Sequence, residues 1–393
     1  MLSRQAAPTR PETPDAAGTE EATAPWWHGP LLFGAVGLVV WAVVALSVAH
    51  LPWSSHPRPG YFPGQPWLEG WVHWDAGWYH SIAEKGYTYV SGRQSSVAFF
   101  PAYPLAMRAG RAVVGDSLLA GILVTLGGGL ALAALLWDWL RERLSTPAAW
   151  TALALFLLYP YAYYLFGAVY ADALFLAAVL GAFVLLERGH PWWAGVVGAL
   201  ATAARPVGLV VVAGLVLRAV ERRGGISGIR WADAGVLLSV GGLAAYCVYL
   251  ANRFGNPFLF AEVEQYWGQG AGPRTWFKLE FLEGVTRFGD PPAWVAYVSH
   301  PVVTVAALAL VPLVFRRFGW GYGSYCLLVV ALPGLSTKDF FGMGRYVLAA
   351  FPCFAVAGEL LAARPRLRAA ALALSGTALV VTTSLFARGS YLS

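Results

Sequence analysis

The chain has 393 residues, of which 58% are hydrophobic and only 12% are charged. Soluble domains carry about 25% charged residues, so this composition and a mean hydropathy of +0.57 place most of the chain in lipid. The net charge of +6 falls in short loops between apolar runs, which favours a role in membrane topology and argues against nucleic-acid binding.

The order of apolar runs predicts an all-α polytopic membrane protein. Residues 1–25 contain no apolar run and are rich in Ala, Pro, Thr and Glu, which predicts a disordered cytoplasmic tail and argues against a signal peptide. Residues 26–393 are expected to form a single transmembrane domain. Spanning helices need about 20 apolar residues, and the candidate stretches are 31–50, 117–138, 148–166, 170–187, 231–251, 300–315, 320–335, 345–362 and 368–387.

The stretch 192–218 differs from these, because Arg205-Pro206 lies at its middle. Proline breaks a helix, so we expect two short membrane helices that meet at this dipeptide. Counting the stretch as two crossings gives about eleven spans, with the amino terminus inside and the carboxyl terminus outside. The positive-inside rule then places the basic loops in the cytoplasm. Those loops contain Arg141, Arg143, Arg188, Arg218, Arg222, Arg223, Arg230, Arg316, Arg317, Arg364, Arg366 and Arg368.

The segments with unusual polar residues fall on the other face in this topology. They are the outer loops 51–116 and 252–299, the turns 166–170 and 336–345, and the Arg205-Pro206 break. Transporters place substrate groups near the bilayer midplane. Clustering on one face therefore favours an enzyme with its active site on the outer side of the membrane.

The first outer loop contains the stretch VHWDAGWYHSIAEKGY, from Val72 to Tyr87. Helical spacing places Asp75 and Tyr79 on one face, and Trp74, Trp78 and Ile82 on another. We expect a short helix on the membrane surface, with its apolar face among lipid headgroups and Asp75 turned toward the protein. A plain interfacial anchor is the alternative, but it does not explain an acid between aromatic residues.

Further acidic and basic residues are candidates for substrate binding. Asp172 begins a spanning helix, where the helix dipole alone favours an anion. Arg205 and Arg345 carry the fork that matches phosphate oxygens, and Arg345 with Lys338 is expected to form an outward-facing cationic patch. An ion pair between Arg205 and Asp172 is the structural alternative. Glu262, Glu264 and Gln265 in AEVEQYW are either site residues or a solvated face.

A metal site receives little support from the sequence. His73, Asp75, His80 and Glu84 are possible ligands, but His73 and Asp75 point to different faces of a helix, and no HExxH spacing is present. We therefore expect no cofactor, and a divalent metal is possible but not favoured. The three cysteines lie in apolar runs without ligand spacing, and the absence of a GxSxG motif argues against a serine hydrolase.

Several of these segments together resemble the PIG-V family of mannosyltransferases. The segment HWDAGWYHSIAEKGY followed by AFFPAYPLAMR is similar to the family's first signature, and it is the most specific match. YPYAYYLFGAVYADALF, ARPVG, FGNPFLFAEVEQYWG and GMGRYVLAAFP resemble later family segments, in the same order, from about residue 70 to 355. Asp172 stands where the family usually has Glu, and the Ala- and Arg-rich composition resembles bacterial relatives.

The resemblance implies a C-type glycosyltransferase fold with the catalytic acid in the first outer loop. It implies inverting transfer of mannose from a polyprenyl-phosphate-mannose donor to a hydroxyl of a lipid-linked glycan or another acceptor, at the extracytoplasmic face of the plasma membrane. Asp75 is implied as the catalytic base. The implied substrate-binding residues are His73, Trp74, Trp78, Tyr79, Asp172, Arg205, Gln265, Lys338 and Arg345.

Three other functions stay open at this stage. A flippase of lipid-linked sugars would use the same cationic pocket without a base. A C-type transferase for another polyprenyl-phosphate sugar, such as arabinose or glucose, would keep the fold and Asp75. A non-catalytic subunit that supports other membrane enzymes is the third, and the clustering of polar residues on one face argues weakly against it.

Overall fold

The computed structural model describes residues 25–54, 60–268, 272–286 and 291–392. The tail expected over residues 1–25 lies outside these ranges except for its last residue, Pro25. The described chain forms eighteen α-helices, joined in places by short 3₁₀ turns, which agrees with the all-α prediction. The helices are α1 His28–His50, α2 Pro66–Glu69, α3 Asp75–Lys85, α4 Ala102–Val114, α5 Ser117–Arg141, α6 Thr146–Leu157, α7 Asp172–Glu187, α8 Pro191–Ala204, α9 Gly208–Arg222, α10 Gly241–Phe254, α11 Leu259–Val263, α12 Pro273–Trp276, α13 Leu279–Gly284, α14 Pro291–Phe318, α15 Trp320–Ser336, α16 Met343–Ala349, α17 Phe351–Ala362 and α18 Pro365–Ala387.

Several of these helices are long and apolar enough to cross a bilayer, so the chain is an integral membrane protein. Among the described residues, five segments qualify by length and composition, and they contain α1, α5, α10, α14 and α18. The helices α16 and α17 qualify only together, with a bend of 79° between them. The helices α6 to α9 and α15 have 12 to 17 residues each, shorter than a typical span. The count of about eleven spans therefore stays a prediction.

The break at Arg205-Pro206 is confirmed, because α8 ends at Ala204 and α9 begins at Gly208. The helix expected over 148–166 was wrong in its second half, since α6 ends at Leu157. Pro160 disfavours helical backbone in the residue before it. The tyrosine-rich segment that follows folds instead into a buried 3₁₀ turn, Ala162–Leu165.

The helices α5, α7, α9 and α15 connect the loops predicted outside with the basic loops predicted inside. A helix of 16 residues such as α7 spans about 24 Å. At its carboxyl end Glu187 forms ion pairs with Arg143 and with Arg218, and Arg317 donates to the Arg143 carbonyl at 2.7 Å. The basic loops thus meet at one end of the helical bundle, and the loops with unusual polar residues meet at the other.

Candidate active site

Asp75 is the first residue of α3, and its position is fixed from both sides. Its backbone N–H donates to the Tyr170 hydroxyl at 3.2 Å. The preceding residue, Trp74, has a φ of 55°, a conformation that costs a non-glycine residue about 1–3 kcal/mol. The Trp74 indole N–H holds this turn by donating to the Ser390 carbonyl at 3.3 Å. The turn places an acid at the positive end of a helix, where an anion is favoured.

Four charged side chains meet at this end of the bundle, and we call them the site cluster: Asp75, Asp172, Arg205 and Arg345. An Nη1 atom of Arg345 lies 3.2 Å from Asp75 Oδ2 and 3.9 Å from Asp172 Oδ2. Arg205 forms an ion pair with Asp172 as well. The side chains are 3% to 20% exposed. Buried charges need such pairing, so each acid in the cluster is held by at least one guanidinium.

Arg345 is held in this cluster by its neighbours in α16. Gly344 has no side chain, and a Cβ atom there would lie 2.5 Å from the ring of Tyr161. The Gly344 N–H donates to Nδ1 of His300 at 3.1 Å. The guanidinium of Arg345 then lies over the rings of Tyr164 and Tyr170, at 5.2 and 5.1 Å from their centroids. Aromatic faces stabilise a cation at these distances.

A cavity of about 130 Å³ lies against the site cluster. It is lined by Asp75, Tyr79, Ala98, Phe99, Phe100, Ala204, Arg205, Pro206, Glu264, Trp267, Gly268, Thr337, Asp339, Phe341, Gly342, Arg345, Tyr346 and Tyr391. A second cavity of about 580 Å³ adjoins it. The two share the lining residues Trp267, Gly268, Asp339, Phe341 and Tyr391. Ligand sites in proteins are apolar and aromatic hollows with a few convergent polar groups, and this pair of cavities has that character.

The structure brings Asp75, Tyr79, Arg205 and Arg345 together at the first cavity, and Asp172 lies directly behind the two arginines. Burial and the nearby charge of Asp75 raise the pKa of the Tyr79 hydroxyl, so it stays protonated. The expected site residues therefore include one acid at the cavity wall, a second behind it and two cations.

The other predicted site residues lie elsewhere. His73 is 5% exposed, and its Nε2 atom is 3.2 Å from the Ala387 carbonyl oxygen, outside the cavity. Burial lowers its pKa to about 4, so the ring is neutral near pH 7. Trp74 packs on Tyr391 with ring centroids 4.7 Å apart. Gln265 is exposed, and its amide donates to the Glu262 carbonyl at 2.9 Å.

Two expectations about the outer surface were wrong. The apolar face of α3 packs inside the protein and does not lie among lipid headgroups, because Phe99, after the 3₁₀ turn Ser96–Ala98, and Trp267, after α11, cover it. Trp78 accordingly stacks on Phe99 with centroids 5.7 Å apart and meets Trp267 at 5.8 Å. The cationic patch of Arg345 with Lys338 does not form, since Arg345 turns inward to Asp75 and Lys338 pairs with Glu280 at 3.4 Å.

Several residues that line the cavity carry no assigned role in the sequence motifs, or only an open one. Glu264 is the most informative, because the sequence left it as either a site residue or part of a solvated face. Burial, and to a smaller extent Asp75, raise the pKa of Glu264 to about 7. Trp267, Tyr346 and Tyr391 also form the walls. The aromatic content of these segments was visible in the sequence, but nothing in it indicated which rings point inward.

The possible metal ligands of the first outer loop are engaged separately. His80 Nδ1 lies 2.9 Å from the Ser117 hydroxyl, and Glu84 pairs with Arg111 at 2.6 Å. Asp75 pairs with Arg345. Among the described residues, no three His, Cys, Asp or Glu side chains come together in a way that could hold a metal ion. The residues of the site cluster instead have the chemistry of a general base with neighbouring anion-binding groups.

The fold of this chain has a counterpart among solved structures. The structure is similar to that of ArnT from Cupriavidus metallidurans bound to undecaprenyl phosphate, with a TM-score of 0.51 and 17% sequence identity. The similarity covers 86% of this chain and 60% of that chain. The chain thus has the C-type glycosyltransferase fold that the resemblance implied.

The sequence comparisons point to one family. Residues 64–223 match the family model of the PIG-V mannosyltransferases. GPI alpha-1,6-mannosyltransferase 2 of Homo sapiens is 34% identical over 161 residues, which cover 37% of this chain and 31% of the human protein. The Cricetulus griseus protein of the same name is 35% identical over 159 residues, with the same coverage. The chain therefore spans about a third of the length of these relatives. These matches confirm the resemblance to the PIG-V family over residues 64–223.

Proposed function

We propose that this protein is an inverting glycosyltransferase that moves mannose from a polyprenyl-phosphate-mannose donor to a hydroxyl of a lipid-linked glycan. The observation that carries the proposal is the placement of Asp75. It begins a helix, lies at the wall of a cavity and is held by Arg345 at 3.2 Å. It also lies in the part of the chain that matches the mannosyltransferase family, 64–223.

Asp75 acts as the base in this mechanism. The acceptor hydroxyl attacks the anomeric carbon of the donor from the side opposite the phosphate, and its proton passes to the Asp75 carboxylate. A new glycosidic bond forms while the bond from the anomeric carbon to the phosphate oxygen breaks. The configuration at that carbon inverts, and the products are a glycoside and polyprenyl phosphate. A positioned base contributes about 10²- to 10⁴-fold to such a rate.

Arg205 and Arg345 stabilise the departing phosphate. Both line the cavity that Asp75 lines, and both are held in place by Asp172. Fixed cations aimed at developing negative charge are a large source of catalysis, since they need no rearrangement during the reaction. Asp172 thus acts on the phosphate only through the two arginines, as a positioning residue.

The two adjoining cavities suit a reaction with two substrates. The first is lined by Asp75, Arg205 and Arg345, and the second extends from their shared wall toward Lys338 and Gln94. One substrate in each cavity would bring the reacting groups together at Trp267 and Tyr391. Apolar helices rich in Gly and Ala provide close-packed grooves for a prenyl chain alongside.

We place the cavity on the extracytoplasmic side of the plasma membrane of a bacterium. The support is the positive-inside rule, which puts the end of the bundle with Arg143, Arg218 and Arg317 in the cytoplasm. The site cluster lies at the opposite end. Polyprenyl-phosphate sugars present their sugar at the headgroup level, where such a cavity would meet it.

A transfer assay separates this proposal from a flippase. The purified protein is reconstituted in liposomes with polyprenyl-phosphate mannose that is labelled in the sugar. We expect free polyprenyl phosphate and a labelled glycoside with inverted anomeric configuration, when a lipid-linked glycan is added as acceptor. Label that moves between leaflets without any product would instead identify a flippase. Turnover with glucose or arabinose donors, and none with mannose, would identify a transferase for another sugar.

A further inference from the structure

Glu264 is a carboxylate at the cavity that the mechanism above does not use. It begins a 3₁₀ turn, Glu264–Trp267, directly after α11. It is half-buried, and within the described residues its side chain forms no hydrogen bond or ion pair. Its neighbour Glu262 is different, because it is exposed and accepts a hydrogen bond from the Asn256 amide at 2.6 Å. The two acids of this segment thus have opposite environments.

An unpaired carboxylate in a partly closed cavity is costly, because burial removes water that would otherwise solvate it. The charges nearest to Glu264 are those of Asp75 and Arg205, and all three line the same cavity. Arg205 is already paired with Asp172, and Asp75 with Arg345. The protein therefore holds an unused acceptor group in the same cavity as its candidate base.

A carboxylate accepts hydrogen bonds through two oxygens, which matches two neighbouring hydroxyl groups of a sugar ring. The Trp267 side chain belongs to the same 3₁₀ turn and forms an adjacent wall. Sites of small ligands combine such aromatic walls with a few polar groups that fix orientation. Glu264, Trp267 and Asp75 line one cavity, so a hexose bound there would meet an acceptor, an aromatic wall and the candidate base together.

We propose that Glu264 is a specificity-determining residue that accepts hydrogen bonds from the hydroxyl groups of a hexose held between Glu264 and Asp75. This inference rests on the proposed function, since it assigns a sugar to the same cavity. The hexose is either the transferred sugar of the donor or the terminal sugar of the acceptor, and both present the same chemistry to the carboxylate.

The test measures binding, which does not require turnover. Dissociation constants are measured in nanodiscs for polyprenyl-phosphate mannose, for polyprenyl phosphate without sugar and for methyl α-mannoside. In Glu264→Gln, we expect affinity for a sugar-bearing ligand to fall about 10- to 100-fold, as for a lost hydrogen bond to a charged group. Affinity for polyprenyl phosphate should stay within about twofold, because the phosphate is held by the arginines.

Two matched variants complete the design. Glu262→Gln removes an acid two residues away that lies outside the cavity lining, and it should bind every ligand like the wild type. Glu264→Asp keeps the charge but shortens the side chain, and it should lose less affinity than Glu264→Gln. If Glu264→Gln loses affinity for methyl α-mannoside alone, Glu264 contacts the acceptor sugar. If it loses affinity for polyprenyl-phosphate mannose alone, Glu264 contacts the transferred sugar of the donor.

Equal loss of all three ligands in Glu264→Gln, or loss of none, would overturn the inference. Deoxy analogues of the mannose ligand give an independent check, because wild type should lose affinity when the contacted hydroxyl is removed and Glu264→Gln should not.

The outcome of this binding test is separable from that of the proposed function. Sugar-dependent binding through Glu264 without transfer would contradict the transferase alone, whereas transfer with unchanged binding in Glu264→Gln would contradict the Glu264 role alone.

Discussion

Both ends of the helical bundle carry networks of arginine and carboxylate groups, and they differ in what surrounds the charges. The basic-end cluster consists of Asp138, Arg143, Glu187, Arg188 and Arg218. Here Glu187 pairs with Arg143 and with Arg218, and Asp138 pairs with Arg188. Arg222 donates to the carbonyl groups of Leu186 and Glu187 at the end of α7. Cations at a helix carboxyl terminus stabilise the helix and its dipole.

In the site cluster the acidic groups lie at the other ends of their helices. Asp75 and Asp172 are the first residues of α3 and α7, so the acids lie at helix amino termini. Asp75, Arg205 and Arg345 line a cavity with aromatic walls, and Asp172 lies behind the two arginines. Glu264 belongs to the same lining and has no partner of its own among the described residues. Ion pairing alone therefore does not distinguish a functional network from a structural one. The basic-end cluster also lines a cavity, of about 270 Å³, but no aromatic side chain belongs to its lining. The aromatic walls and the unpaired acceptor are what distinguish the site cluster.

The largest expected effect follows from removing one acid at each end. Asp75→Asn should lower mannose transfer about 10²- to 10⁴-fold, because the base is lost while size and shape are kept. Asp138→Asn should transfer mannose at the wild-type rate per folded molecule and lose about 1 kcal/mol of unfolding free energy. Initial rates and thermal unfolding of the purified variants check both statements. Wild-type turnover in Asp75→Asn would remove Asp75 from the mechanism.

A smaller effect is expected for the arginines. Arg205 and Arg218 are 11% and 20% exposed, and each is paired with a carboxylate. Arg205→Lys keeps the charge but loses the planar fork that matches a phosphate, so kcat should fall about 10- to 100-fold. Arg218→Lys should lower the unfolding temperature and leave kcat unchanged. Slower transfer in Arg218→Lys at unchanged stability would mean that the basic end also serves the reaction.

These comparisons show which parts of the molecule the sequence made predictable. The break at Arg205-Pro206 was predictable, because proline removes a backbone donor wherever it lies in a helix. The placement of Asp75 and Tyr79 on one face of α3 followed from helical spacing, and Tyr79 is indeed buried beside the cavity. Local rules were sufficient in both cases.

The orientation of Glu264 and Gln265 was not predictable in the same way. The chain changes from α-helical to 3₁₀ geometry at Glu264, which redirects the side chains that follow. Glu264 accordingly lines the cavity and Gln265 faces outward. Tyr391 reaches the cavity from a part of the chain far from every motif, through packing on Phe341 and Trp74. Such long-range contacts leave no local pattern.

A further prediction concerns the close approach that positions Arg345. Gly344→Ala should destabilise the protein by about 1–3 kcal/mol, because the added methyl group meets the Tyr161 ring at 2.5 Å. It should also lower kcat, since Arg345 follows directly. Gly34→Ala is the matched control, because no atom lies within 4 Å of a Cβ atom there. Chemical denaturation and initial rates measure both effects, and equal behaviour of the two variants would contradict this packing argument.

The smallest expected effect is a pH dependence. With a pKa of about 7, Glu264 is ionised at pH 8 and protonated at pH 6. The ionised carboxylate accepts two hydroxyl hydrogen bonds, so affinity for the mannose ligand should fall about tenfold from pH 8 to pH 6. Glu264→Gln should bind equally at both values. Other ionisable or charged groups line the same cavity, and they are Asp75, Tyr79, Arg205, Asp339, Arg345, Tyr346 and Tyr391.

His73 provides the control for that experiment. Burial lowers its pKa to about 4, so it stays neutral between pH 6 and pH 8. His73→Gln should therefore keep the wild-type pH profile of binding. If the pH dependence of affinity disappears in His73→Gln and persists in Glu264→Gln, the titrating group is His73. That result would contradict the role of Glu264.

A structure of the protein with a non-transferable phosphonate analogue of polyprenyl-phosphate mannose tests the central claim most directly. We expect the anomeric carbon beside Asp75, with room for a hydroxyl within about 3 Å of the carboxylate, and the phosphonate within hydrogen-bonding distance of Arg205 or Arg345. A sugar and phosphonate bound away from this cavity, with Asp75 and Arg345 still paired and untouched, would contradict the account.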